Sequence, residues 1–171
     1  LLGVRGVDVK NSDKYILEVI AAVMSGQDGR IFNSIRDNLG LSYSQGAGSV
    51  PALDPGYFFF YVATDEKNLE KAKEILLTEI SKIRTEPVSD EELASAKKAL
   101  IGRHMISMQT NSAKTFTMAL DELYELGYDN YKQYKENINK CSKSDIMKIA
   151  NAYFNFNDLI SVSVMPGYPE E

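Results

Sequence analysis

Few side chains in this sequence could carry chemistry, and their spacing narrows the choice. Arg36 and Tyr43 stand seven positions apart, with Gly40 between them to turn the chain. The predicted elements put Arg36 in the last turn of a short helix and Tyr43 at the start of a strand. A guanidinium and a phenol can then be presented to one place. The residues alone leave plainer roles open: Arg36 could pair with an acid or cap its helix, and Tyr43 could fill the sheet.

The remaining candidates are weaker. His104 is the single histidine; it lies one turn after Leu100 and in line with Leu93, on or beside an apolar stripe. Zinc takes three or four donors from Cys, His and carboxylate, and no His or Glu stands one turn after His104. The sequence holds no H-x-x-E-H or related pair, so a boundary histidine with a hydrogen-bond partner is the expectation. Asp90, Glu91 and Glu92 resemble a calcium cluster, but a helix start attracts acids through its dipole. Cys141 is the single cysteine, flanked by Lys140 and Lys143, which would lower its pKa slightly, with no base in view. Gly26-Gln27-Asp28-Gly29 and Gly46-Ala47-Gly48 are too incomplete to be phosphate loops, and G-x-S-x-G is absent. No cofactor and no metal are expected on this chain.

The 171 residues carry 19 Lys and Arg against 24 Asp and Glu, a net charge of −5. Nucleic-acid binding would need a basic stripe to displace counterions from phosphates, and here the two signs are interleaved. No run of 18 apolar residues exists to span a membrane. One cysteine excludes a disulfide within the chain and a cysteine-based zinc cluster. The start at Leu1-Leu2-Gly3-Val4, without Met, reads as the interior of a strand, and residues 1–171 are taken as a single domain cut from a longer polypeptide.

Positioning falls to the elements. A strand is predicted over 1–9, and a helix to Met24 from the three- and four-residue steps of Tyr15, Ile16, Val19, Ile20, Val23 and Met24. A short helix follows over 30–38 with Gly40 as its stop. Strands at 42–50 and 56–63 form a hairpin, the second apolar on both faces and therefore central. From Asp65 the period becomes helical, with Leu69, Ala72, Ile75, Leu76, Ile80 and Ile83 in one stripe ended by Pro87. Ser89 with Glu92, and Ser142 with Asp145, read as capping boxes opening helices to about Met108 and over 143–155. Helices are also expected over 111–126, with Phe116, Ala119, Leu120 and Leu123 inward, and over 129–140. A last strand is expected over 158–165. The order β-αα-ββ-αααα-β predicts an α+β fold, a mainly antiparallel sheet with helices packed on one face.

Four stretches in order resemble the pitrilysin (insulysin-type) zinc metallopeptidases. They are Ser25-Gly26-Gln27-Asp28-Gly29-Arg30-Ile31-Phe32 running on to Ile35-Arg36 and Leu41-Ser42-Tyr43; Asp54-Pro55-Gly56 before the aromatic strand; Val88-Ser89-Asp90-Glu91-Glu92-Leu93 with Ala96-Lys97; and Ser142, Asp145-Ile146, Ala150 and Tyr153. Asp28-Gly29 and Ser42 differ from the commoner Ser-Ser and Ala. The resemblance is to the second domain of a half, most like the zinc-free C-terminal half. It implies the metallohydrolase fold of the mitochondrial processing peptidases. It further implies that Arg36 and Tyr43 bind the scissile carbonyl of a peptide substrate, in trans to Zn2+ held by a zinc-bearing half in the same chain or a partner subunit. Some relatives keep this fold without activity, so a catalytically inactive scaffold or assembly subunit is the alternative. The lone cysteine suits a reducing cytoplasm but also a disulfide-free exported protein, and a cytoplasmic location is the expectation.

Overall fold

The computed structural model describes residues 1–26, 29–39 and 44–165, with the main chain alone at 37–39. Among the described residues, four strands form one antiparallel sheet in the order β2-β3-β1-β4: β1 is Leu2–Arg5, β2 Ser44–Val50, β3 Tyr57–Ala63 and β4 Ile160–Ser161. Strand β3 is interior, as its apolar run requires. Its period of two separates Phe58 and Phe60, both fully buried, from Tyr57, Phe59 and Tyr61 on the other face. Leu2 stands opposite Phe60 and Val4 opposite Phe58, so β1 adds to the same apolar face.

Among the described residues there are seven α-helices, five rather than four of them after the hairpin: α1 (Asp13–Met24), α2 (Arg30–Leu39), α3 (Leu69–Thr85), α4 (Asp90–Ser107), α5 (Asn111–Leu123), α6 (Tyr134–Lys140) and α7 (Lys143–Tyr153). The architecture is the α+β layer expected, with helices against the apolar sheet face. Leu17, Val19, Ile20 and Met24 of α1 and Ile80 and Ile83 of α3 are buried. Phe154, just past α7, closes a ring cluster with Phe58 and Phe60 at centroid distances of 4.8 and 5.3 Å. The Tyr153 hydroxyl donates to Asp13 Oδ2 at 2.9 Å, tying α7 to the start of α1.

Both capping boxes are present, Ser89 with Glu92 and Ser142 with Asp145, each side chain reaching the other's backbone N–H. The hairpin loop needs Gly56, because a Cβ there would overlap the Val50 carbonyl.

Several expectations require correction. The first strand stops at Arg5, after which the chain bonds to the hairpin loop, Gly6 donating to Gly56 O and Val9 to Ala52 O. The last strand is two residues long rather than eight, and Val162 and Val164 are exposed. Helix α5 buries none of its residues. Phe116 is 66% and Leu123 72% exposed, against the inward placement predicted from their spacing. The expected stop at Gly40 lies outside the described residues.

Candidate functional site

Helix α2 and the chain that returns from it to β2 carry the Arg36 and Tyr43 pair. The turn into α2 depends on glycine. Gly26 adopts φ +92°, and a Cβ on Gly29 would overlap the Ser25 carbonyl. Ile31 and Ile35 then bury one side of α2, Arg30, Phe32, Asn33 and Ser34 are half-buried, and the helix faces outward at Arg36. Arg36 is exposed on that outward side, its guanidinium carbon 5.5 Å from the Phe32 ring centroid, a cation–π contact that leans the side chain back along the helix. Tyr43 lies outside the described residues. Its neighbour Ser44 opens β2 opposite Ala63, so the strand carrying the chain away from Tyr43 is held by the sheet.

Two polar anchors hold α2 in place. Arg30 grips Glu92 with both arms, Nε to Oε1 at 2.6 Å and Nη2 to Oε2 at 3.0 Å. The same carboxylate accepts the Ser89 amide at 2.7 Å in the capping box. One side chain therefore caps the start of α4 and fastens α2, and the Arg30 guanidinium holds the Glu92 carboxyl below its usual range. Half a helix further on, the Ser34 hydroxyl donates to Glu79 Oε1 at 2.7 Å. Glu79 is 3% exposed and also receives Lys82 Nζ at 2.7 Å.

Sequence reasoning found Glu92 as a cap but missed its grip on Arg30, and missed Glu79 entirely. A signal existed for the first. A cation in the first turn of α2 opposes the helix dipole, so Arg30 calls for a carboxylate from elsewhere.

The other candidates fall into place as structural residues. His104 stacks on Tyr134, with centroids 4.2 Å apart, and donates to the Tyr131 carbonyl. Burial lowers its pKa. Asp90 pairs with Lys143 at 2.8 Å. Among the described residues, no group of three or more His, Cys, Asp or Glu could hold a metal. With one histidine and one buried thiol, this chain's donor set does not fit zinc. The expected lowering of the Cys141 pKa is overturned. Its thiol is buried, donates to the Asn137 carbonyl, and is pushed up to about 11 by desolvation, which outweighs the lowering by Lys97. No described helix is long and apolar enough to cross a membrane.

Against known proteins, residues 1–100 match the model of the peptidase M16 inactive domain. An uncharacterized zinc protease of Rickettsia felis is 29% identical over 157 residues, which are 91% of this chain and 38% of the relative. The chain spans 36 to 38% of the length of the curated relatives it matches. The crystal structure of the inactive peptidase domain from Bordetella parapertussis superposes with a TM-score of 0.84 at 15% identity, covering 98% of this chain and 92% of that one. A chain in the structure of complex III2 from Candida albicans superposes with a TM-score of 0.82 at 16% identity, covering 93% and 40%. The sequence match over more than half of its length, with the fold shared along nearly all of it, shows that this chain belongs to the peptidase M16 inactive domain family.

Proposed function

We propose that this chain is the non-zinc-binding, substrate-positioning domain of a longer zinc metalloendopeptidase that degrades peptides. In this reading Arg36 and Tyr43 donate to the carbonyl oxygen of the scissile peptide bond. Zinc belongs to another half of the protease, in the same polypeptide or a partner subunit. The observation that carries the reading is the exposed Arg36 on a helix clamped at Arg30 and Ser34, immediately before the return to β2. A helix held this firmly suits a residue that must meet a reacting oxygen within a fraction of an ångström. Membership of the family and the zinc-protease relatives support the substrate class. The buried Cys141 thiol suits a reducing compartment, and we place the protease in the cytoplasm.

The test is cleavage of a quenched fluorescent peptide by the complete protease, wild type against Tyr43→Phe and Arg36→Gln. Removing either donor should lower turnover roughly 10²-fold with the melting temperature unchanged. Robust cleavage untouched by both substitutions would make the pair structural and sink this mechanism. A second reading, a catalytically inactive scaffold or assembly subunit, is favoured by the fold shared with a chain of complex III2. A complete protein that cleaves no peptide across a broad set selects that reading.

A further inference from the structure

A cleft with polar and apolar walls lies between α1, the end of β2 and the C-terminal half of α4, and Arg36 is not among the residues that line it. Its inner part has a volume of about 400 Å3 and is lined by Glu18, Ser49, Arg103, His104 and Tyr134, among others. An adjoining part of about 280 Å3 shares four of these and adds Lys14 and Asp121. Both signs of charge are present, and they are not equally committed.

Lys14 donates to the Val9 carbonyl. Asp121 accepts the Tyr131 amide at 3.1 Å and the Asn130 side chain at 3.4 Å. Glu18 takes the Tyr134 hydroxyl on Oε1 at 2.6 Å, and among the described residues no donor reaches its Oε2. Arg103 lines the cleft and is near enough to favour the Glu18 carboxylate, yet neither an ion pair nor a hydrogen bond engages its guanidinium among the described residues. An anion site and a cation site therefore face one cavity, close enough to feel each other but with no direct ion pair between them among the described residues.

The sheet edge completes the lining. Ala47 turns its N–H and C=O away from β3, where both bond to Ser25 Oγ at 2.7 and 3.0 Å. Two residues on, Ser49 has the same orientation, so its backbone donor and acceptor point off the edge beside the cleft. That arrangement matches an ammonium, a carboxylate and a peptide group. We infer that this cleft binds a small zwitterion, a free amino acid or a dipeptide, with its ammonium on Glu18 and its carboxylate on Arg103. The inference rests on the cleft and is independent of the role given to Arg36 and Tyr43.

Calorimetric titration of the complete protease, with a chelator present to silence cleavage, tests it with four probes: alanine, Ala-Ala, N-acetyl-Ala-Ala and Ala-Ala amide. Alanine or Ala-Ala should bind, and affinity should fall about tenfold or more in Arg103→Gln and in Glu18→Gln. Capping either terminus should weaken Ala-Ala by a similar factor. Glu18→Gln keeps an acceptor for Tyr134, and Arg103 is exposed, so Arg103→Gln carries the test if Glu18→Gln fails to fold. Tighter binding of alanine assigns the site to amino acids, and tighter binding of Ala-Ala to dipeptides. No binding of either at millimolar concentration overturns the inference, as does affinity unchanged in Arg103→Gln or equal binding of the capped peptides.

Discussion

Glu92 shows how much one side chain can do when two elements share it. Its two oxygens meet the Ser89 amide and both arms of Arg30. Glu92→Gln keeps an acceptor for the cap but removes the charge that holds Arg30. Hydrogen bonds to charged groups contribute about 1.5–3 kcal/mol each, so chemical denaturation should show a loss of about 1–3 kcal/mol. Ser89→Ala, which removes the cap alone, should cost about 1 kcal/mol. His104 gives the matching pH prediction. Burial lowers its folded pKa below 6.5, so the unfolded chain takes up the proton first. The stabilising contribution is complete above about pH 6.5 and is lost as pH falls through the folded value. The difference in unfolding free energy between wild type and His104→Gln should therefore shrink as pH drops below 6.5. Glu18, raised by burial in the same cleft, is common to both proteins. A difference that stays constant from pH 7 to pH 5 would refute the assignment.

At the scale of elements, the turn between α1 and α2 sets where Arg36 stands. Gly29→Ala forces a methyl group into the Ser25 carbonyl, and the backbone has to move to admit it. The expected loss is at least about 1 kcal/mol, with a parallel fall in cleavage by the complete protease if α2 positions the substrate. An alanine variant as stable as wild type would show that the turn has slack. Helix α5 is the contrary case. Its apolar residues repeat at helical spacing, yet Phe116 and Leu123 are exposed and none of its residues is fully buried. Periodicity specifies which residues share a face; it does not supply an element to cover that face.

Across the whole molecule, the ring cluster of Phe58, Phe60 and Phe154 joins the second half of the hairpin to the end of α7. All three are fully buried. Phe154→Ala should cost about 3–5 kcal/mol, the range for large aromatic truncations in a core. A loss below about 1 kcal/mol would mean that the C-terminal helix packs independently of the sheet. Because the cluster links residues nearly a hundred positions apart, unfolding should remain one cooperative transition in wild type.

The local grammar of this protein was legible from its residues. The stripe of α3, the two capping boxes, the interior placement of β3 and the α+β order follow from side-chain spacing and turn chemistry within a few residues of each other. The resemblance in the segment from Ser25 to Tyr43 was legible too, and it led to the family. What needed the tertiary structure was everything set by distant neighbours. Arg30 meets Glu92 across 62 positions and Ser34 meets Glu79 across 45. Cys141 is raised rather than lowered because burial outweighs the nearby Lys97. The last strand shrinks to the two residues that find a partner in β1. Glu18 and Arg103 come to share one cleft only through the packing of α1 against α4. Dihedral preference and apolar period act along the chain, whereas desolvation, Coulomb interaction and strand pairing depend on which segments lie side by side after folding.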